Sequence, residues 1–258
     1  MERTYVVTGA ASGIGAATAR YLRERGGRVI GSDLRDAEVI ADLVTAEGRA
    51  ALVDGVKRLS GGKIDAILAI AGGGAAEYTP SLNFFGAVAT LDGLRPLLQG
   101  SPAPRAVAVS SIGSLMPGDQ GLAEICLRMD EVAVIAAARD ALAAGRTILD
   151  LYQCAKYALN CWCRRAAATP QWAGEGITLN VIAPGFIDTP AAAYILSNPD
   201  LREAMGQMVP MRGAYPGRAD ELAAILAWCV SPENSLMTGQ ILFVDGGYEC
   251  SQRGEATW

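Results

Sequence analysis

A chain of 258 residues that is 51% hydrophobic can bury a large core and needs no second domain. Its formal net charge of −5 argues against nucleic acid or an anionic membrane as a partner, because either favours a basic face. The absence of histidine excludes Ser-His-Asp and Cys-His nucleophiles and most zinc sites, so any proton chemistry falls to Tyr, Lys, Asp, Glu or Cys.

Residues 4–8 read as a first strand, with no basic or long apolar leader before it, so no signal peptide is read and a cytoplasmic setting is expected. Further strands are predicted at 28–33, 65–71, 105–110, 177–182 and 240–244, with a weak one at 38–42. Helices are predicted at 13–26, 45–60, 82–99, 121–143, 148–169, 191–206 and 218–231. Mostly continuous apolar strands alternating with helices imply a parallel sheet covered on both faces. The expected fold class is α/β, a single Rossmann-type doubly wound domain over 1–258 with about seven strands. Ligands in such sheets lie beyond the carboxyl ends of the strands, at the switch point. The apolar run Val132–Ala138 is bounded by charges and far too short to span a bilayer. Six cysteines (126, 154, 161, 163, 229 and 250) form no C-x-x-C pair and are expected to be reduced, with no metal site.

Gly9, Ser12, Gly13, Ile14 and Gly15 follow the first strand and open the first helix. Glycines at 9, 13 and 15 permit a tight turn and let backbone amides approach a pyrophosphate at the helix N-terminus. The plainer reading is a glycine-rich turn. Asp33 ends the second strand eighteen residues after Gly15, where a carboxylate can accept hydrogen bonds from the adenosine ribose. It would repel a 2′-phosphate, which favours NAD over NADP; Arg35 nearby could meet a phosphate, and Asp33 could be a simple turn residue.

Tyr152 and Lys156 lie four apart in a helical stretch, so they share a face. An ammonium near a phenol favours the phenolate, which predicts a lowered tyrosine pKa and acid–base work near neutral pH. Against 19 Arg the chain has only three Lys, so a lysine at 156 suits a compact charge that touches both a phenol and a ribose. Ser110 and Ser111 end the preceding strand, where a hydroxyl can hold a substrate oxygen.

With these residues in place, the chain resembles the short-chain dehydrogenase/reductase family, whose T-G-x-x-x-G-x-G pattern Thr8–Gly15 matches; the resemblance covers nearly the whole chain. Segments 35–43 (RDAEVIADL) and 45–49 (TAEGR) resemble its bacterial 3α-hydroxysteroid dehydrogenase/carbonyl reductase branch. The resemblance implies that Ser111 is the catalytic serine, with Asn83, Tyr152 and Lys156 beside it. It implies adenosine contacts from Asp33, Leu34, Arg35, Asp42 and Leu43, further cofactor contacts from Ala71, Gly72 and Gly73, and nicotinamide contacts from Pro184, Gly185, Ile187 and Thr189. Thr189 could equally cap the helix that follows. The family's Asn-Asn-Ala-Gly reads Ala69-Ile70-Ala71-Gly72, which implies a local structural difference without loss of chemistry. Only ten residues separate Gly72 from Asn83, so any helix between them must be short or absent. Asp245-Gly246-Gly247 matches a structural motif of the family.

Family members commonly have about a dozen residues between the serine and the tyrosine, whereas forty separate Ser111 from Tyr152 here. The extra segment, 117–144, is expected to carry one amphipathic helix, Leu122–Leu142, and the named branch has a comparable insertion. Such a helix would cover a surface that relatives use to form tetramers, so a homodimer is expected, with a tetramer as the alternative.

A substrate loop or lid is expected at 190–216. Leu115, Met116, Tyr194 and Met208 are the chosen pocket residues, among nearby Ile195, Leu196, Met205, Val209 and Met211. Adaptable methionines and aliphatics suit a bulky apolar alcohol or ketone, although most of them could simply pack the lid. No cation stands out as a carboxylate clamp, with Arg212 and Arg218 the nearest candidates. The function expected is NAD(H)-dependent interconversion of a secondary alcohol and a ketone, with a hydroxysteroid or similar substrate. The alternatives are another cyclic, aryl or terpenoid alcohol, and a non-catalytic NAD-binding regulator.

Overall fold

The computed structural model describes residues 2–116 and 118–256, with the Tyr194 side chain outside that description. The first half runs β1 (Thr4–Thr8), α1 (Gly13–Glu24), β2 (Arg28–Asp33), β3 (Val39–Ile40), α2 (Ala46–Ser60) and β4 (Ala66–Ala69). A π-helical turn, Ser81–Gly86, leads into α3 (Ala87–Leu94), and β5 (Arg105–Val109) follows. Then come α4 (Gln120–Leu127), α5 (Glu131–Ala143), α6 (Ile148–Ala167), β6 (Thr178–Pro184) and β7 (Ile187–Asp188). The chain continues through α7 (Ala193–Leu196), α8 (Pro199–Gln207), β8 (Gly217–Arg218), α9 (Ala219–Cys229), β9 (Ile241–Val244) and α10 (Tyr248–Arg253).

Seven strands form one sheet in the order β3-β2-β1-β4-β5-β6-β9, every pair parallel. The order reverses between β1 and β4, so a crevice opens beyond their carboxyl ends. Alternation within each strand explains the two faces. Val6, Ile67, Ala108 and Val181 join one core with Leu52, Phe84, Leu91 and Leu151, whereas Tyr5, Val7, Leu68, Val107 and Ile182 join a second with Leu22, Leu222 and Leu226. With both faces covered, the central strands read as mostly apolar runs. Each fully buried Leu or Ile contributes about 1.5–3 kcal/mol. Among the described residues, no helix is long and apolar enough to cross a membrane.

Three predicted helices are divided. The stretch 82–99 becomes the π turn, α3 and a 3-10 turn. Asn83 explains the widened turn: its Nδ2 donates to the Thr79 carbonyl at 2.8 Å, taking the acceptor that an α-helix would reserve for the Asn83 amide. The single helix expected over Leu122–Leu142 is two, because Met129 turns left-handed (φ 61°) and the Asp130 side chain caps α5 through the Ala133 amide at 2.9 Å. The stretch 191–206 is interrupted where Asn198 caps α8 through the Asp200 and Leu201 amides, with Pro199 as its first residue. The strand expected at 65–71 ends at Ala69, since the Ile70 and Ala71 amides donate to the Thr8 hydroxyl at 3.0 and 3.1 Å.

Between Ser111 and α6, α4 and α5 occupy the extra segment, whose first residue, Pro117, lies outside the described residues. Leu122, Ala123 and Cys126 of α4 are buried, and the Asp119 amide donates to Cys154 Sγ at 3.2 Å, fastening α4 to α6. Among the described residues, none of the six cysteines forms a disulfide. No group of His, Cys, Asp or Glu among the described residues could hold a metal ion.

Candidate active site

The loop from β1 to α1 is built for close approach. Gly9 and Gly13 have φ of 72° and 51°, which glycine adopts without strain. A Cβ on Gly13 would stand 3.2 Å from Thr189 Cγ2, and one on Gly9 would stand 3.1 Å from Ala71 Cα. On Gly15 a Cβ would run into the Gly9 carbonyl. Ser12 is the exposed N-cap of α1 and Ile14 is half-buried within its first turn. The Ser12 hydroxyl makes no side-chain cap, so it satisfies none of the first amides of the helix.

Asp33 Oδ2 accepts from the Ala11 amide at 3.0 Å and Oδ1 from the Leu34 amide at 2.7 Å. The carboxylate therefore ties the end of β2 to the glycine loop. Leu34 is exposed, and Arg35 projects outward with only a 4.0 Å approach to Asp36. Asp42 is exposed with Oδ1 accepting from the Val44 amide at 3.0 Å, and Leu43 beside it is buried.

Ser111 lies two residues beyond β5, and its hydroxyl accepts from the Gly113 amide at 3.0 Å while standing beside Tyr152, whose pKa it lowers. Ser110 is buried, and its hydroxyl donates to the Lys156 carbonyl at 3.3 Å. The two serines are thereby separated into one that faces Tyr152 and one that fastens β5 to α6. Tyr152 and Lys156 sit one turn apart on α6, whose start is set by a capping box in which Thr147 and Asp150 satisfy each other's amides at 2.8 and 3.3 Å. The Lys156 ammonium lies 5.5 Å from the centroid of the Tyr152 ring and donates to the Val109 carbonyl at 2.8 Å.

These surroundings correct the expected tyrosine pKa. Burial pushes the Tyr152 phenol above its ordinary value, and the group that opposes this is Ser111, not Lys156. Burial also lowers the lysine to about 8.

Asn83 is wholly buried and clamps the opposite wall. Its Oδ1 accepts from the Gly73 amide at 3.1 Å and its Nδ2 donates to the Gly73 carbonyl at 2.7 Å. Gly72 passes between Asn83 and Lys156: a Cβ there would be 2.8 Å from Asn83 Oδ1 and 3.1 Å from Lys156 Nζ. No helix intervenes between Gly72 and Thr79.

Pro184 and Ile187 are buried at the carboxyl end of β6, and Gly185 rests against Asp245, where a Cβ would approach Asp245 Cα to 2.8 Å. The Thr189 hydroxyl donates weakly to the Ile187 carbonyl at 3.4 Å and makes no side-chain cap, so the capping alternative is not realised. Leu115 is half-buried and Met116 exposed after the turn that begins at Ser111, and Met208 is half-buried at the end of α8. The fourth expected pocket residue, Tyr194, falls outside the described side chains. The segment that follows rests on the Asp245-Gly246-Gly247 motif, with the Met211 amide donating to the Gly246 carbonyl at 3.0 Å.

Two residues near this wall escaped the sequence reading. A Cβ on Gly74 would stand 3.1 Å from Ile148 Cγ2, and Ile148 is exposed one turn before Tyr152. Spacing of four from Tyr152 was the available signal for Ile148; the run of three glycines was the signal for Gly74.

A family model described as Enoyl-(Acyl carrier protein) reductase matches residues 9–249. The 3-alpha-hydroxysteroid dehydrogenase/carbonyl reductase of Comamonas testosteroni is 36% identical over 255 residues, covering 96% of this chain and 97% of that protein. The cis-4-hydroxycyclohexanecarboxylate dehydrogenase of Sinomonas cyclohexanicum is 34% identical over 251 residues, 96% of each. Among solved structures, the 3-alpha-hydroxysteroid dehydrogenase from Pseudomonas sp. B-0831 complexed with NADH superimposes with a TM-score of 0.89 at 35% identity, covering 98% of this chain and 99% of that one.

Proposed function

The chain belongs to the short-chain dehydrogenase/reductase family, and from that premise we propose an NAD-dependent oxidoreductase that interconverts a bulky, hydrophobic cyclic secondary alcohol of the hydroxysteroid kind and its ketone. The observation that carries this assignment is the placement of Ser111 beside the buried Tyr152, whose pKa it lowers against burial, with Lys156 one turn below on α6.

The glycine loop fits a dinucleotide on its own evidence. Gly15 leaves no room for a Cβ, the positive φ of Gly9 and Gly13 disfavours any other residue, and the uncapped first turn of α1 suits a pyrophosphate. Asp33 and Leu34 would hold the adenosine ribose, Asp42 and Leu43 would flank the adenine, and Lys156, Pro184, Gly185, Ile187 and Thr189 would hold the nicotinamide half. When bound, such a cofactor supplies or takes up the hydride. NAD is favoured over NADP because the Asp33 carboxylate is fixed beside the loop and would repel a 2′-phosphate.

In alcohol oxidation Tyr152 accepts the hydroxyl proton while the Ser111 hydroxyl orients the same oxygen. Lys156 supplies a compact positive charge below the phenol. Asn83 holds Gly73 in place, and the spare lone pair of its Oδ1 supports a water that relays the proton outward. Leu115, Met116 and Met208, with the 190–216 segment as a lid, offer an apolar pocket for a ring system. A smaller cyclic alcohol is a second reading, favoured by the similarity to the hydroxycyclohexanecarboxylate enzyme. A cytoplasmic homodimer is proposed, since α4 covers part of α6.

Turnover of hydroxysteroids and simple cyclic alcohols with NAD and with NADP tests the whole assignment. The expected result is preference for NAD and for polycyclic substrates, and a Tyr152→Phe variant that still binds NAD with turnover reduced at least about 10²-fold. Tight cofactor binding with no hydride transfer to any alcohol would instead indicate a regulator. Wild-type rates in Tyr152→Phe would refute the mechanism.

A further inference from the structure

The Arg49 guanidinium, its side chain only 11% exposed, joins three segments that are remote in sequence. Nε donates to the Leu43 carbonyl at 2.8 Å, and Nη2 donates to the Val44 carbonyl at 2.9 Å and the Ser81 carbonyl at 3.2 Å. Its two terminal nitrogens grip the Glu131 carboxylate at 2.6 and 2.5 Å. Leu43 and Val44 belong to the turn after β3, Ser81 opens the π turn that carries Asn83, and Glu131 is the first residue of α5 in the extra segment. The Asp130 cap places Glu131 in the first helical turn, where the helix dipole favours an anion.

We propose that Glu131 is a positioning residue for the adenosine half of the cofactor: by anchoring Arg49 it tethers the Asp42–Val44 turn, so the inserted helices contribute to cofactor affinity. This rests on the reading that Asp42 and Leu43 flank the adenosine. An exposed ion pair would be worth little, but a bidentate pair around a mostly buried guanidinium is a different case. Burial alone would raise the Glu131 carboxyl, and Arg49, helped by the Ser81 hydroxyl, outweighs it, leaving its pKa lowered. Removal of the carboxylate leaves a buried cation without its counter-charge. The guanidinium then turns toward water and releases the carbonyls it holds. The turn keeps its internal bonds, Asp42 Oδ1 from the Val44 amide and the Asp42 carbonyl from the Thr45 amide at 3.1 Å, but loses its tether. The expected loss therefore falls on binding more than on folding.

The test is Glu131→Gln, with the dissociation constant for ADP-ribose measured by calorimetry and NAD varied in steady-state assays. Both the ADP-ribose Kd and the KM for NAD should rise about tenfold, equivalent to about 1.4 kcal/mol. At saturating NAD, kcat should stay within about twofold and the alcohol KM should not move. Arg49→Lys, which keeps the charge but cannot serve three segments, should fall between. Arg139→Ala, which removes the exposed 3.6 Å pair of α5 with Glu77, should change nothing. Wild-type ADP-ribose affinity in Glu131→Gln overturns the proposal. If that variant fails to fold, an unchanged Kd in Arg49→Lys overturns it equally. Failure of the wild-type chain to bind ADP-ribose would overturn the reading of the adenosine site itself, and the proposal with it.

Discussion

The Lys156 ammonium lies 5.5 Å from the centroid of the Tyr152 ring and gives one of its protons to the Val109 carbonyl at 2.8 Å. Burial disfavours charge on both side chains, raising the phenol and lowering the lysine to about 8. At pH 7 the lysine remains mostly protonated, so a positive charge sits next to the group that must become phenolate. Lys156→Met, similar in length and neutral, should lower kcat for alcohol oxidation by about 10²-fold or more. Lys156→Arg should not restore it, because a planar fork cannot occupy a site closed by Gly72 and Val109. Steady-state assays of both variants check this, and an active Lys156→Arg enzyme would refute it.

Ser111 is the group that pulls the Tyr152 pKa downward against burial. Removing it leaves burial unopposed, so the phenol titrates at higher pH. For oxidation the phenolate is the working form, and the ascending limb of the kcat/KM profile should therefore move to the alkaline side in Ser111→Ala. Loss of the donor to the substrate oxygen should also reduce kcat by about 10²-fold. A limb that stays in place or moves to lower pH would contradict the assignment. Ser110→Ala should leave the limb where it is, since that hydroxyl serves the Lys156 carbonyl.

Much of this site was legible because its signals are local. Glycine spacing, Asp33 at a strand end and Tyr152 four residues before Lys156 all depend on a period or a short interval, and the structure has the glycine loop directly after β1, Asp33 as the last residue of β2 and the Tyr-Lys pair one turn apart on α6. What escaped depends on partners far away in the chain. Arg49 and Glu131 are 82 residues apart, so no periodicity relates them. The π turn arises because Asn83 holds both Gly73 and Thr79, a side-chain choice that helix propensity does not encode. The expected pull of Lys156 on the phenol failed for a related reason, since the spacing specifies a shared face but not which acceptor the ammonium finds. The break at Met129 was marked by Asp130 as a potential cap, yet the largely apolar stretches on both sides concealed it.

Gly72 and Gly74 line the same wall but should respond differently to alanine. At Gly72 the new methyl group meets Asn83 Oδ1 at 2.8 Å, and Asn83 is held by three hydrogen bonds. It cannot yield without releasing Gly73, so Gly72→Ala should lose at least about tenfold in kcat. At Gly74 the contact is the end of the exposed Ile148 side chain at 3.1 Å, which can rotate away. Gly74→Ala should keep kcat with a small cyclic alcohol and raise KM for a polycyclic one. Equal losses in both variants with the small alcohol would show that the wall acts as a rigid whole.

Four core thiols make stability sensitive to alkaline pH. Burial pushes Cys126 and Cys229 up to about 12 and Cys154 and Cys163 upward as well, from an ordinary value of 9.0. Below pH 9 these groups are protonated in both folded and unfolded chains and contribute no slope. Above it the unfolded chain releases protons that the folded chain retains, so folding stability falls as pH rises from 9 toward 12. Lys156 has the opposite sign: lowered from 10.5 to about 8, it lets the unfolded chain hold more protons between those values, so stability rises there. One lysine acts alone between pH 8 and 9, and four thiols oppose it above 9. The thermal midpoint should therefore climb slightly from pH 8 to 9 and decline beyond, with a shallower decline in Cys229→Ala and no climb in Lys156→Met. Melting curves across this range decide the matter, and a midpoint that continues to rise past pH 9 would mean that the buried thiols ionise without unfolding.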